Sequence, residues 1–387
     1  MGTTGGDGTT GRGARAAAER RWTTPLEAEI RARIAETGGL SVADYMTLCL
    51  THPRHGYYTT RQPLGAAGDF ITAPEASQIF GELIGAWVAA GWRAMGAPAL
   101  LRLVEPGPGR GLLMADLLRA AAHMPGFAEA VRVHLVEASP LLRAEQKRRL
   151  AGRAPVRWHA DLAEVPEGPT IVVANEFLDA LPVHHHERTP EGWRERLVVV
   201  GDDGELTFAA CGAPLREVPE WAAALPPGSV IETGPARDAL AAEVAARVAR
   251  HGGAALFIDY GHARPGPGET LQAVHRHRKV PVFFRPGEAD LTAHVDFNSL
   301  AAAMRAAGCD VHGPMAQGDF LRALGLEARL AVLMQRADAR RRMILRRGAR
   351  RIAGDDQMGR LFKVLAAVPR GAPAPPPFHG EGAWRSS

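Results

Sequence analysis

L-R-L-V-E-P-G-P-G-R-G, residues 101 to 111, is the stretch on which the fold turns. Leu101, Leu103 and Val104 read as a buried strand, and Gly107, Gly109 and Gly111 end it just before the amphipathic run Leu112 to Ala122. A strand that breaks in a glycine loop and opens into a helix lets a ligand approach bare backbone at the switch point of an open sheet. The dinucleotide fingerprint G-x-G-x-x-G requires a third small residue at position 112, where Leu112 stands. A pyrophosphate cofactor is thereby disfavoured. Glu105, just ahead of the glycines, would repel a phosphate while suiting a cationic amino-acid moiety such as that of S-adenosyl-L-methionine.

Outward from this stretch, short apolar runs alternate with amphipathic segments: Val131 to Glu137, then Pro140 to Leu150, then Val156 to His159 and Thr170 to Ala174. Strand alternating with helix predicts an α/β, Rossmann-like doubly wound sheet with helices on its faces. From Val183 to about residue 230 the pattern changes to alternating segments broken by P-E-G and D-D-G turns, an antiparallel β insertion of the kind that shapes a substrate face. The α/β rhythm resumes with a helix from Pro235 to Arg250 and a strand from Ala254 to Asp259, and Leu361 to Leu365 supplies a late strand. Upstream, Pro25 opens a helix carrying Leu26, Ile30 and Ile34 that stops at Gly38-Gly39. A second helix starts at Ser41, and a third apolar stretch runs from Ile79 to Trp92. The chain therefore divides into a helical N-terminal region (23–98) and a sheet domain (99–370), between coreless tails at 1–22 and 371–387 that are expected to be mobile.

Composition removes several function classes. The 46 basic residues are nearly balanced by 42 acidic ones, and a net charge of +4 is too thin an excess to support nucleic-acid binding. No run approaches the roughly 18 consecutive apolar residues of a membrane span. Cys49, Cys211 and Cys309 are dispersed and encode neither a disulfide framework nor a zinc knuckle. The Arg-rich start could serve as a mitochondrial transit peptide, placing the protein in the matrix, but its glycines and Asp7 dilute any amphipathic helix; the bacterial cytoplasm is the favoured reading.

Strand ends supply the candidate site. Glu137 follows Gly111 by 26 residues, close to the roughly 20 expected of an acid that accepts ribose hydroxyls. Asp161, after the third strand, either accepts from an adenine amine or caps a helix. Asn175 and Glu176 close the fourth strand beside the crevice, and Asp179 follows one turn later, with capping the alternative role for Asn175 and Asp179. Asp259-Tyr260-Gly261 is a second candidate lining. His184, His185 and His186 alternate across a strand and cannot all reach one ion, so no metal is expected; His294 is a candidate polar contact on the substrate side.

The strings G-D-F-I-T-A-P-E (68–75), E-P-G-P-G-R-G (105–111), N-E-F-L-D-A-L-P (175–182), F-I-D-Y-G (257–261) and G-E-A-D-L-T-A-H-V-D-F (287–297) resemble the MidA family of class I S-adenosylmethionine-dependent methyltransferases. Pro106 departs from the Leu or Ile usual in that family. The resemblance implies S-adenosyl-L-methionine as cofactor, a class I methyltransferase sheet, and Asp69 with Glu75 in a lid over the glycine loop. It also implies symmetric dimethylation of an arginine in a respiratory complex I subunit, the activity of the family's mitochondrial assembly factor.

An arginine acceptor needs a carboxylate to grip its guanidinium, and Glu176 is the first choice, with Asp259 the fallback. Glu105, Gly107, Gly109, Gly111, Glu137, Asp161, Asp69 and Asn175 are the expected cofactor residues. Two other readings compete: a nicotinamide dehydrogenase, weakened by Leu112, and an assembly chaperone that binds cofactor and a partner without catalysis.

Overall fold

The structure, a computed structural model, describes residues 24–60 and 71–378. Seven strands build the central sheet: β1 (Leu101–Pro106), β2 (Val131–Val136), β3 (Val156–His159), β4 (Thr170–Asn175), β5 (Gly253–His262), β6 (Cys309–Ala316) and β7 (Phe362–Pro369). Their spatial order is 3-2-1-4-5-7-6, and the two-residue strand Val295–Asp296 pairs with the end of β5. β1 to β5 are parallel, while β7 runs antiparallel between β5 and β6. The order reverses between β1 and β4, so the carboxyl ends of those two strands flank the crevice where such sheets hold ligands.

The helices that matter are α1 (Pro25–Thr37), α2 (Val42–Thr51), α3 (Gln78–Ala94), α4 (Leu112–Ala121), α5 (Pro140–Leu150), α6 (Pro235–His251), α7 (Phe297–Ala306), α8 (Gln317–Ala323), α9 (Leu326–Gln335) and α10 (Ala339–Ala353). Along β4 and β5 successive side chains enter opposite cores: Ile171, Val173, Leu256 and Ile258 join α3 and α4 on one face, and Val172, Ala174, Ala255 and Phe257 join α6 and α7 on the other. Both faces are dry, which is why these strands read as unbroken apolar runs. Helix starts follow local chemistry: the Thr24 hydroxyl accepts from the Glu27 amide ahead of Pro25, and Ser139 caps α5 ahead of Pro140.

The segment after residue 183 is antiparallel, as the turn pattern indicates. His184–Thr189 pairs with Gly192–Glu195 and Val230–Thr233, and Leu197–Val200 pairs with Leu206–Ala209 and with Leu40–Ser41 from the N-terminal region. A third small sheet, Gln272–His275, Arg278–Val280 and Asp290–Thr292, has no counterpart in the sequence reading. α1 and α2 pack their apolar faces on these strands through Leu26, Ile30, Tyr45 and Met46 against Val183, Val198 and Leu291.

Two expectations need correction. The late strand begins at Phe362, because Leu361 closes a helical turn and is exposed. The C-terminal segment is not coreless from Gly371: the Trp87 indole donates to the Pro376 carbonyl (2.7 Å), and Phe378 packs against Phe320 and His312. A buried indole N–H and an aromatic ring outweigh the entropy cost of ordering this segment, a cost its prolines reduce. The tail expected at 1–22 and the final residues lie outside the described chain.

Candidate active site

The loop after β1 is built for close approach. Gly107, Gly109 and Gly111 all adopt positive φ (61°, 50° and 75°), and a Cβ on Gly107 would collide with the Phe177 ring. The Gln146 amide on α5, fully buried, donates to the Gly109 carbonyl (2.7 Å) and to Glu137 Oε2 (3.1 Å), while its oxygen accepts from Trp158 Nε1 (2.8 Å). Glu137 Oε1 accepts the Ser139 amide at 2.7 Å. Each Glu137 oxygen thus keeps acceptor capacity toward the cleft, which is what two ribose hydroxyls require. Gln146 was missed in the sequence, where a helical glutamine carries no signal.

Beneath the loop, Glu105 is 3% exposed and its Oε2 has no hydrogen-bond partner among the described residues. Burial pushes its carboxyl up to about 8. Asn175, at the end of β4, donates from Nδ2 to Glu176 Oε1 (3.1 Å), and its own Oδ1 has no partner among the described residues. Two orphaned acceptors facing one cleft fit a ligand that brings donors and positive charge.

Glu176 adopts φ +50°, an uncommon backbone for a residue with a Cβ, held by its N–H, which donates to the Ile258 carbonyl (2.9 Å). Its Oε1 also accepts the Ala73 amide at 2.8 Å, which ties β4 to the Ala73–Ala76 turn. Burial, together with the charges of Asp179 and Glu75, outweighs those hydrogen bonds and raises its carboxyl to about 7. Arg110, inside the glycine loop, pairs with Glu145 (2.8 Å) and lies 3.6 Å from Glu75.

Glu105, Gly107, Gly109, Glu137, Asn175 and Glu176 border one cleft of about 260 Å³, open on one side and lined also by Leu50, Tyr58 and Leu181. Ligand pockets run to about 300–1,000 Å³, so this cleft lies near the small end of that range. Tyr58 is oriented by its hydroxyl bond to Asp290 Oδ1 (2.9 Å).

Three candidates, Gly111, Asp161 and Asp259, stand off the cleft lining. Asp69 lies outside the described residues. Asp161 caps the turn Leu162–Glu164, accepting from the Ala163 amide at 2.9 Å, and does not border the cleft. Asp259 is 1% exposed and also stands off the cleft lining: Oδ2 accepts the amides of Leu178 (2.9 Å) and Asp179 (3.1 Å), and Oδ1 that of Tyr260 (2.9 Å). It shapes the turn that follows Glu176 and cannot grip an acceptor from there. Burial and the neighbouring Asp179 charge hold its carboxyl far above the usual range. Arg237, 3% exposed, ties the same turn to the 293–294 segment by donating to the Asp179, Leu181, Ala293 and His294 carbonyls. His294 packs edge-on to Tyr260 away from the cleft. His184 and His185 pair separately with Glu195 and Glu232, and the described residues contain no cluster suited to a metal.

Comparison with known proteins converges on one family. Residues 83–315 match the family model described as "Putative S-adenosyl-L-methionine-dependent methyltransferase". The protein named "Protein arginine methyltransferase NDUFAF7, mitochondrial" is 37% identical in Xenopus tropicalis, over 87% of this chain and 84% of that one. Its Mus musculus counterpart is also 37% identical, over 91% and 86%. A Burkholderia thailandensis structure bound to S-adenosyl-homocysteine superposes with a TM-score of 0.78 at 34% identity, covering 91% of this chain and 93% of that one.

Proposed function

The chain belongs to the family of S-adenosyl-L-methionine-dependent methyltransferases, and from that premise we propose that it symmetrically dimethylates an arginine of a protein partner, a respiratory complex I subunit or a relative of one. S-adenosyl-L-methionine supplies an electrophilic methyl group on a sulfonium, so no metal is needed. Gly107, Gly109 and Gly111 would let the cofactor lie on the backbone, Glu137 would take the ribose hydroxyls, and Glu105 with Asn175 would take the amino-acid end. The orphaned Glu105 and Asn175 oxygens support that placement.

The observation that carries the acceptor assignment is Glu176. Its carboxylate borders the cleft beyond the glycine loop, is locked by two N–H donors, and titrates at about 7. An arginine entering there meets a fixed carboxylate that orients one guanidinium nitrogen and stabilises charge as a proton leaves. Glu75 lies close enough for its charge to act on Glu176, so a second carboxylate faces the same cation. The relatives' names favour an arginine in a protein as the acceptor, and their word "mitochondrial" supports the mitochondrial alternative for the compartment.

The test is incubation of the purified protein with labelled S-adenosyl-L-methionine and a lysate from a strain lacking it, followed by mapping of the label. Symmetric dimethylarginine in a protein is the expected product. A labelled lysine, nucleic acid or small molecule would overturn the arginine assignment, and cofactor binding without transfer would favour the chaperone reading.

A further inference from the structure

Helix α10 carries seven arginines in 15 residues and no acidic residue. Leu345, Gly348, Ala349 and Ile352 form its buried face. At about 3.6 residues per turn Met343 falls opposite that face, with Arg340, Arg346, Arg347 and Arg350 around it and Ile344 to one side. Met343 is 65% exposed and Ile344 46%. Arg340, Arg346 and Arg347 are exposed and make no hydrogen bond or ion pair among the described residues. Arg350 pairs with Asp356 at 2.8 Å, but an apolar tip beside three uncompensated cations is not what a merely solvated helix needs, because either residue could be polar at no cost to packing.

We infer that α10 docks on an anionic lipid bilayer, with Met343 and Ile344 entering the headgroup layer and the surrounding arginines meeting lipid phosphates. A protein partner is the weaker fit. Protein interfaces deplete charge at their centre, whereas here the centre is crowded with guanidinium groups that would each require a matched carboxylate. A bilayer supplies mobile anionic headgroups with no register to satisfy, and clusters of 4 to 8 basic residues on an amphipathic helix suit such a surface. Arginine stems can lie along the interface while the guanidinium stays in water. No helix among the described residues is long and apolar enough to cross a membrane, so the contact is peripheral.

Placement gives the contact a consequence. α10 packs against the turn that reaches the cleft: a Cβ on Gly348 would meet the Ala76 carbonyl at 2.6 Å, and Arg341 donates to Gln78 Oε1 at 2.8 Å. The helix would thus stand between the bilayer and the segment whose Ala73 amide holds Glu176.

Co-sedimentation of the full chain with phosphatidylcholine vesicles, with and without about a third phosphatidylglycerol, tests this. Salt-sensitive binding to the anionic vesicles alone is expected. At roughly fivefold per basic residue, Arg340→Gln with Arg347→Gln should weaken it about thirtyfold. Met343→Asp should weaken it while leaving S-adenosyl-homocysteine affinity unchanged, which shows that the variant is folded. Wild type that stays in the supernatant with anionic vesicles would overturn the inference. So would equal binding to neutral vesicles, undiminished binding by the double variant, or displacement from the vesicles by a single-stranded RNA at equal charge.

Discussion

Glu105 shows how a binding residue can cost the free protein stability. Its carboxyl is buried without a counter-charge and titrates at about 8, while an unfolded glutamate titrates near about 4.3. Folding therefore favours the protonated form. That contribution is intact below the unfolded value and is lost as pH rises toward about 8, so the free protein should lose stability across that window. Glu105→Gln should raise the stability of the free protein at pH 8 by about 1–3 kcal/mol, since a neutral amide costs less to bury than a charge. The same change should weaken S-adenosyl-homocysteine binding by roughly tenfold or more, because the ligand's ammonium loses its partner. Thermal melting with and without the ligand measures both effects. Gly107→Ala should fail in another way: positive φ and the Phe177 ring both oppose a methyl group, at a cost of about 1–3 kcal/mol. Calorimetry with S-adenosyl-homocysteine should then detect little or no binding.

Strand and loop ends were the legible part of the site. β1 and β4 announce themselves as apolar runs, and their terminal residues fall in the crevice because parallel sheets bind ligands there. The direction of a turn's amides is not written in residue types. Asp259 reads as a strand end just as Asn175 does, yet β5 runs on to His262, the chain after Glu176 folds back to occupy Oδ2, and the Tyr260 amide takes Oδ1. Asp161 is spent on its own turn, and Gln146 enters the site only because α5 leans on the glycine loop. The assignment of Asp259 to the turn makes a prediction: Asp259→Asn places an NH2 against backbone N–H donors and should destabilise the fold by about 1–3 kcal/mol. Denaturant unfolding measures that loss. Glu176→Gln, whose oxygen can still accept from the Ala73 amide, should unfold close to wild type.

Across the whole molecule, the alternation of strand and helix identifies the doubly wound sheet, but residues 263–360 carry no comparable rhythm. The sheet Gln272–His275, Arg278–Val280 and Asp290–Thr292 is made of strands of three or four residues, too short for a period of two to stand out. The C-terminal segment reads as coreless because proline-rich composition reports what a segment lacks and says nothing of a distant tryptophan in need of an acceptor. Truncation after Arg370 removes the Pro376 carbonyl from Trp87 and Phe378 from Phe320. Thermal unfolding should show a loss of about 2–4 kcal/mol, an unpaired indole and an emptied aromatic site together. The account as a whole joins a cofactor held by the glycine loop to an acceptor held by Glu176. Single-turnover methyl transfer by Glu176→Gln, read beside its affinity for S-adenosyl-homocysteine, tests that junction most directly. The account predicts near-wild-type affinity with transfer slowed about a hundredfold or more, the scale on which one electrostatic stabiliser acts. Wild-type transfer by Glu176→Gln would contradict it and place the acceptor elsewhere in the cleft.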